Sequence, residues 1–493
     1  MLPWRRNVIL CVLACLVGLG TAQKQANISQ TTTPYATTCK FIAIGSPDGT
    51  GIADGSITCT GPGTPVQLSV SQDLQRFSAK FGGVTVSAAA PNSAAILEIS
   101  DTLNVAFVDS QVIGVPGNIN ILNSTVQILR ANFTANSGGT AGAIFIDSSQ
   151  VIIDSSYFAN NTGAAGAAVQ VQGPSSVGIS NTKFLGNVNA NSQGGAVAVA
   201  PGALVQVVSS EFTANSASRG GAIYTSASSL SIVNSQFMQN SARTTGGAAY
   251  TADASAVTML NSTFTGNTAG ALGGAVASDS TQSTIGGCIF SNNNAQSQGG
   301  AVYLSNTTGD VTTCTFSGNT AANGGALYQN LAQSNIIRTA FTGNSASQKG
   351  GALFGTTSTG NIMNSTFTSN KAAQSGGAVF QNDCASSISF SIFSNNDGGS
   401  GGGGGVYRNA CKGFAINCSF IGNTSAQGGA MYQNNCISNN IRATVFDKNK
   451  AQQGSTLFLN NSVPVINGSL FDGSSNAGSS IYQNSQDATS TGS

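Results

Sequence analysis

Apolar residues in this chain come in short runs of branched side chains, about four to six residues long. Clusters of Asn, Ser and Gly separate the runs, and the whole arrangement repeats. A phenylalanine marks each copy: Phe133, Phe158, Phe184, Phe212, Phe237, Phe264, Phe290, Phe316, Phe341, Phe367, Phe393, Phe420, Phe446 and Phe471, in steps of 25 to 28 residues. Five residues before each one stands an apolar residue, as at Ile128, Ile232, Ile336 and Ile441. Two before is a small residue, and three after is Asn in thirteen of fourteen copies, with Ser474 the exception. Nothing recurs at the 3.6-residue spacing of a helix, whereas branched runs broken by turn residues predict short strands.

A second phrase, Gly-Gly-Ala, is complete nine times, for example at Gly220-Gly221-Ala222 and Gly324-Gly325-Ala326. An aromatic often follows two residues later, as at Tyr224, Tyr328, Phe380 and Tyr432. The glycines suit a tight bend or a close backbone approach, and the Ala and the aromatic are expected to point inward together. A phosphate-cradling loop is excluded, since no Gly-Lys-Ser/Thr follows and no helix begins there.

Each copy is thus two or three short strands joined by corners, too small to enclose a core alone. Coils stacked on one another do enclose one, which predicts an all-β, right-handed parallel β-helix of about 14 or more rungs. Rungs about 4.8 Å apart would make a rod on the order of 65 Å long. The Asn column is expected to be a buried hydrogen-bonded ladder that satisfies backbone groups left unpaired at a corner. The residues between that Asn and the phenylalanine, such as Gly266, Asn292, Gly318 and Gly422, suit a left-handed turn. Ahead of the regular copies, residues 23–95 are expected to form an N-terminal cap with irregular first coils, 96–482 the repeats, and 483–493 a disordered tail.

Charged residues make up 7% of the 493-residue chain and the formal net charge is +1. No basic stripe offers itself to a nucleic-acid backbone, so nucleic acid is not an expected partner. Histidine is absent, which removes the usual general base and imidazole metal ligand. No cofactor is expected. At the N-terminus, Arg5 and Arg6 precede an apolar run from Val8 to Leu19, with Gly20-Thr21-Ala22 before a cut at Gln23. This reads as a signal peptide over 1–22 and an extracellular destination, with no transmembrane anchor in the chain.

Removal of that segment takes Cys11 and Cys15 and leaves eight cysteines. Cys39 and Cys59 would close a local loop. Cys288 and Cys314 each stand two before a phenylalanine, so neighbouring rungs would stack them and allow a bond. Cys384, Cys411 and Cys436 share another column, while Cys418 returns to that of Cys288. Four cysteines allow three pairings, and buried free thiols in small-residue columns are the alternative. Of eleven Asn-x-Ser/Thr sequons, Asn261, Asn364 and Asn417 share the column three before the phenylalanine, where a corner would expose them to glycosylation.

The alternation of FxxN with Gly-Gly-Ala and an aliphatic residue, as in Phe212-Thr213-Ala214-Asn215 then Gly220-Gly221-Ala222-Ile223, resembles the repeats of bacterial polymorphic outer membrane proteins. Those are surface adhesins with β-helical passengers. The resemblance covers roughly residues 130–482 and implies a pectin-lyase-like β-helix with an adhesive role. Members end in a membrane β-barrel, and no such segment is expected after Ser474.

Two functions follow. The first is a secreted noncatalytic extracellular rod, adhesin-like or associated with cell wall or matrix, whose partners are glycans, wall polymers or surface proteins. The second is a polysaccharide lyase or hydrolase, for which two suitably spaced carboxylates or a base near a uronate are needed. The one stacked acidic pair is Asp447 and Asp472, each directly after its phenylalanine, which could hold a cation or act on a substrate. An ordinary solvated strand face at the decaying end of the rod is the favoured reading of them.

Overall fold

The computed structural model describes residues 105–437, 439–472 and 479–484 and, before them, seven strands between Ala26 and Ser100. The expected signal segment, with Cys11 and Cys15, lies outside the described residues, as do residues 485–493. The chain is all-β, a right-handed parallel β-helix of about 14 turns. It divides between Asn215 and Ser216 into two compact units. Among the described residues no helix is long and apolar enough to cross a membrane.

The first unit opens with antiparallel pairs. Strand Ala26–Ser29 runs against Val66–Val70, and Thr38–Gly45 against Ile52–Thr60, with Cys39 opposite Cys59. That backbone register suits the local closure expected of these two cysteines, whose side chains lie outside the described residues. Parallel coiling is already present at Ile52, which pairs with Ser78, and Phe81 pairs with Phe107. Phe133, Phe158, Phe184 and Phe212 then fall in exact register on successive coils. Their rings stack at 4.7, 4.9 and 4.6 Å.

In the second unit the same column runs from Phe237 to Phe471, with centroid spacings from 4.6 to 5.3 Å. One coil shows the plan: strands Ile336–Ile337, Ala340–Thr342, Ser345–Lys349 and Leu353–Thr356. Left-handed corners separate the first three. Two residues after the phenylalanine, Gly343 and Gly422 have φ of 62° and 63°, and Ser369 and Asn395 both 54°. A second left-handed corner lies three before it, at Arg338 (49°), Asn364 (50°), Phe390 (51°) and Asn417 (52°). This is the corner expected to expose Asn261, Asn364 and Asn417, and Arg and Phe, which pay a steric cost there, share its column with Asn and Gly. The last strand, Ile481–Asn484, carries the coiling past the expected limit at 482.

The buried Asn ladder is complete within each unit. Asn344 Oδ1 accepts both the backbone N–H (3.0 Å) and the side-chain Nδ2–H (2.9 Å) of Asn319, one coil earlier. Asn344 Nδ2 donates in turn to Asn370 Oδ1 at 2.9 Å and to the Phe316 carbonyl at 3.0 Å. Every amide thus ties two coils together and closes a corner.

The small column two before the phenylalanine is a second ladder. The N–H of Thr339 donates to Ser365 Oγ at 3.2 Å and that of Ser365 to Ser391 Oγ at 3.1 Å, while each hydroxyl donates to the carbonyl two residues back. Cysteine fills the same role as serine: the Cys314 N–H donates to Thr339 Oγ1, and Cys314 Sγ lies 3.2 Å from the Thr312 carbonyl. Size alone marks this column in the sequence; its hydrogen bonding becomes visible only once coils are stacked.

The glycine pair does two different things. Gly324 has φ of +62°, a left-handed conformation open to glycine at little cost. Gly325 has an ordinary backbone, but a Cβ there would lie 2.1 Å from the Gly351 carbonyl oxygen on the next coil. The expectation that Ala and aromatic point inward together needs correction. Ala326, Leu327 and Gln329 are buried, and Tyr328, on the opposite side of the strand from Leu327 and Gln329, is covered as well, at 8% exposure. Ala326 sits in the bend ahead of the strand, so the two-residue alternation starts afresh at Leu327 and turns the aromatic to the outer face.

Candidate functional site: an outward aromatic and amide face

The strand after most Gly-Gly phrases therefore carries an aromatic on its outer side and, two residues on, a second outer-side position at its end. In the second unit the strands Val379–Asn382, Val406–Asn409, Met431–Asn434, Leu457–Asn460 and Ile481–Asn484 pair in register. Register does the rest. Rings stack from Tyr328 through Phe354, Phe380, Tyr407, Tyr432 and Phe458 to Tyr482, with centroids 4.6 to 4.9 Å apart. Beside them the Asn side chains form an external ladder. Asn409 Nδ2 donates to Asn382 Oδ1 at 2.7 Å, Asn434 to Asn409 at 2.5 Å, Asn460 to Asn434 at 2.6 Å and Asn484 to Asn460 at 2.9 Å.

The rings cover one another's faces; Phe354, Tyr407 and Tyr432 are half-buried and Tyr482 is exposed, while Tyr328, Phe380 and Phe458 are buried. Burial pushes the Tyr407 phenol up to about 12, so its hydroxyl stays a neutral donor and acceptor. Lys349 Nζ stands 5.0 Å from the Phe380 ring centre. Each ladder amide spends one N–H on its neighbour and keeps a second N–H and a lone pair. A molecule lying along this face would meet the same amide at every coil, roughly every 4.8 Å.

The residues singled out for chemistry lie elsewhere. Asp447 and Asp472 pair in register on the outer side of the phenylalanine-bearing strands, a different sheet from the aromatic face. Asp447 Oδ2 is 3.7 Å from Lys448 Nζ and Asp472 is exposed. Among the described residues no group of three or more ligating side chains could hold a metal.

Cys288, Cys314, Cys384, Cys411, Cys418 and Cys436 all stand as buried free thiols. Cys384, Cys411 and Cys436 do form one column: the Cys384 N–H points at Cys411 Sγ and the Cys411 N–H at Cys436 Sγ, each at 3.4 Å. Cys418 lies in the hydroxyl column after Ser391, whose carbonyl accepts the N–H of Ser419, and burial raises its thiol to about 11. The three-cysteine column can close at most one bond, with Cys411 as the shared partner, and stacking offers Cys418 no cysteine.

Asn261, Asn364 and Asn417 occupy exposed left-handed corners. Asn423, also in a sequon, is fully buried in the internal ladder. Secretion from a eukaryotic host should therefore place glycans on the first three and none on Asn423. Glycopeptide mass spectrometry checks this, and occupancy at Asn423 would contradict the buried ladder.

A model of the right-handed β-helix region matches residues 117–273, 167–346 and 247–400, which overlap to span more than half of the chain. The chain belongs to the right-handed β-helix family. Among solved structures, this β-helix protein is similar to the periplasmic alginate epimerase AlgG, as a double mutant, at 10% identity and a TM-score of 0.36, over 90% of this chain and 99% of that one. It is also similar to a mutant tailspike protein of the E. coli bacteriophage HK620 in complex with a hexasaccharide, at 10% identity and a TM-score of 0.26, over 81% and 73% of the two chains. Tailspike protein 3 of bacteriophage CBA120 aligns over 85% of this chain and 55% of that one, with 10% identity and a TM-score of 0.24. The right-handed β-helix chain has no match among curated protein sequences.

Proposed function

We propose that this β-helix protein is a secreted, noncatalytic binding protein of the cell surface, wall or matrix, of the adhesive kind that the resemblance of its repeats to those of polymorphic outer membrane proteins implies. Its ligand is a glycan or another repeating polymer. The observation that carries the reading is the external ladder of Asn382, Asn409, Asn434, Asn460 and Asn484 beside the stacked aromatic column, an amide row that repeats once per coil. Single amides bind sugars weakly, and identical weak contacts along one polymer add through effective concentration. Purified protein screened against glycans and wall extracts should retain one repeating polymer and bind its short oligomers at least about tenfold more weakly. Asn434→Ser, on the surface, should reduce polymer retention without changing thermal stability. Failure to bind any glycan or wall fraction would sink the proposal.

The alternative is cleavage of a pectin-like polymer, favoured only by the in-register Asp447 and Asp472. Release of unsaturated uronides or reducing ends, abolished by Asp447→Asn and Asp472→Asn, would establish it in place of simple binding.

A further inference from the structure

Arg408 is the largest fully buried side chain of the described residues, with 0% exposure. It occupies an inward position of strand Val406–Asn409, and strand register stacks Gln381 one coil before it and Gln433 one coil after. Its Nη1 donates to Asn439 Oδ1 at 2.6 Å, and its Nη2 to the carbonyls of Lys412, at 3.0 Å, and Ser386. None of these acceptors is charged. The ion pairs of the described residues use Arg130, Lys183, Lys371 and Lys448, and no carboxylate faces Arg408. A guanidinium cannot shed its proton to escape burial, so its charge stays in the core.

The surroundings are polar and incompletely paired. Arg408 Nε–H has no acceptor, and Gln381 Oε1, Gln433 Oε1 and Asn439 Nδ2 are also buried without a partner. An amide can exchange its oxygen and nitrogen by turning over. For Gln433 that turn gives up only a 3.2 Å contact with the Met431 sulfur. For Gln381 it lets the oxygen accept from Ser386 Oγ, which now lies 2.7 Å from Nε2. With both turned, Arg408, Gln381, Gln433 and Asn439 each hold a buried N–H donor without an acceptor, the first three on consecutive coils. One coil before Gln381 the same column lacks a side chain, at Gly355, where an added Cβ would stand in ordinary contact with Cys384 Sγ at 3.6 Å and Gln381 Cγ at 4.0 Å.

We propose that the interior of the second unit binds a small inorganic monovalent anion, chloride being the abundant one, on Arg408 Nε and the amides of Gln381, Gln433 and Asn439. The neighbouring thiols do not supply the counter-charge. Cys411 Sγ lies 3.1 Å from the Asn409 carbonyl, a distance that suits an S–H donor and repels a thiolate. Coil spacing of roughly 4.8 Å excludes a bulky organic anion.

Two measurements on the intact protein test this. Crystals soaked in bromide should show an anomalous peak within hydrogen-bonding distance of Arg408 Nε. The thermal midpoint should be several degrees higher in sodium chloride than in sodium gluconate at equal ionic strength, as expected of a ligand held only by the folded state. Arg408→Gln, which continues the glutamine column, should lose that difference, and Cys411→Ser should keep it. A bromide map empty at Arg408, or a midpoint indifferent to the anion, overturns the proposal; the second result with a peak present marks binding at crystal concentration only. Loss of the chloride effect in Cys411→Ser would assign the counter-charge to the thiolate and equally overturn it.

Discussion

Asn344→Ala is expected to lower stability by about 3–5 kcal/mol, although it removes one small side chain and leaves the phenylalanine column untouched. The cost lies in what its neighbours lose. The Asn319 backbone N–H and Nδ2 both lose their acceptor, and the Phe316 carbonyl loses a donor. All of these groups are buried at a corner that water does not reach, and each unsatisfied one costs roughly 1–3 kcal/mol. Urea unfolding followed by circular dichroism measures the loss. Because each coil contacts only its neighbours, a lesion in the middle of the second unit should also broaden the transition or split it in two. A change below about 1 kcal/mol would mean that the ladder is ornamental to stability.

Gly325→Ala should be the more damaging of two glycine substitutions that look alike on paper. Its Cβ would lie 2.1 Å from the Gly351 oxygen and 2.5 Å from the Ser345 oxygen, both backbone atoms of the next coil. Rotamer changes cannot relieve that overlap, so two coils must separate, at a cost of about 3 kcal/mol or more. Gly343→Ala is the control. There φ is +62°, yet nothing lies within 4 Å of the added carbon, so only the left-handed conformation is charged, at about 1–2 kcal/mol. Unfolding midpoints of the two variants measured side by side decide the matter. Equal losses would show that φ, and not the approach of the coils, is what requires glycine in the pair.

These two positions also show how the chain can be read. Asn344 and Gly325 were legible in the sequence because their constraint repeats: each coil faces the same corner and the same close approach, and one residue type answers both. The hydroxyl ladder through Thr339 was half legible, because Ser, Thr and Cys all satisfy it and only their size is common. The outward turn of Tyr328 and its successors was not legible. The bend at Ala326 shifts the strand's alternation by one residue, a backbone event that no residue type announces. Arg408 was missed for the opposite reason. It occurs once in a column that mixes Gln, Gly and Leu, so periodicity gives no warning of it, and in a linear reading an arginine belongs at the surface.

By itself the sequence determined the coil, its length, the phenylalanine and Asn columns and the corner that follows each phenylalanine. Those are set by local propensity and by repetition, and repetition lets fourteen weak signals confirm one another. The tertiary structure decided which side chains face out, which columns share hydrogen bonds, and that Asp447 and Asp472 lie on a different sheet from the amide face. These are properties of stacking. A side chain acquires its partner from a residue some 26 positions away, only when the next coil arrives in register.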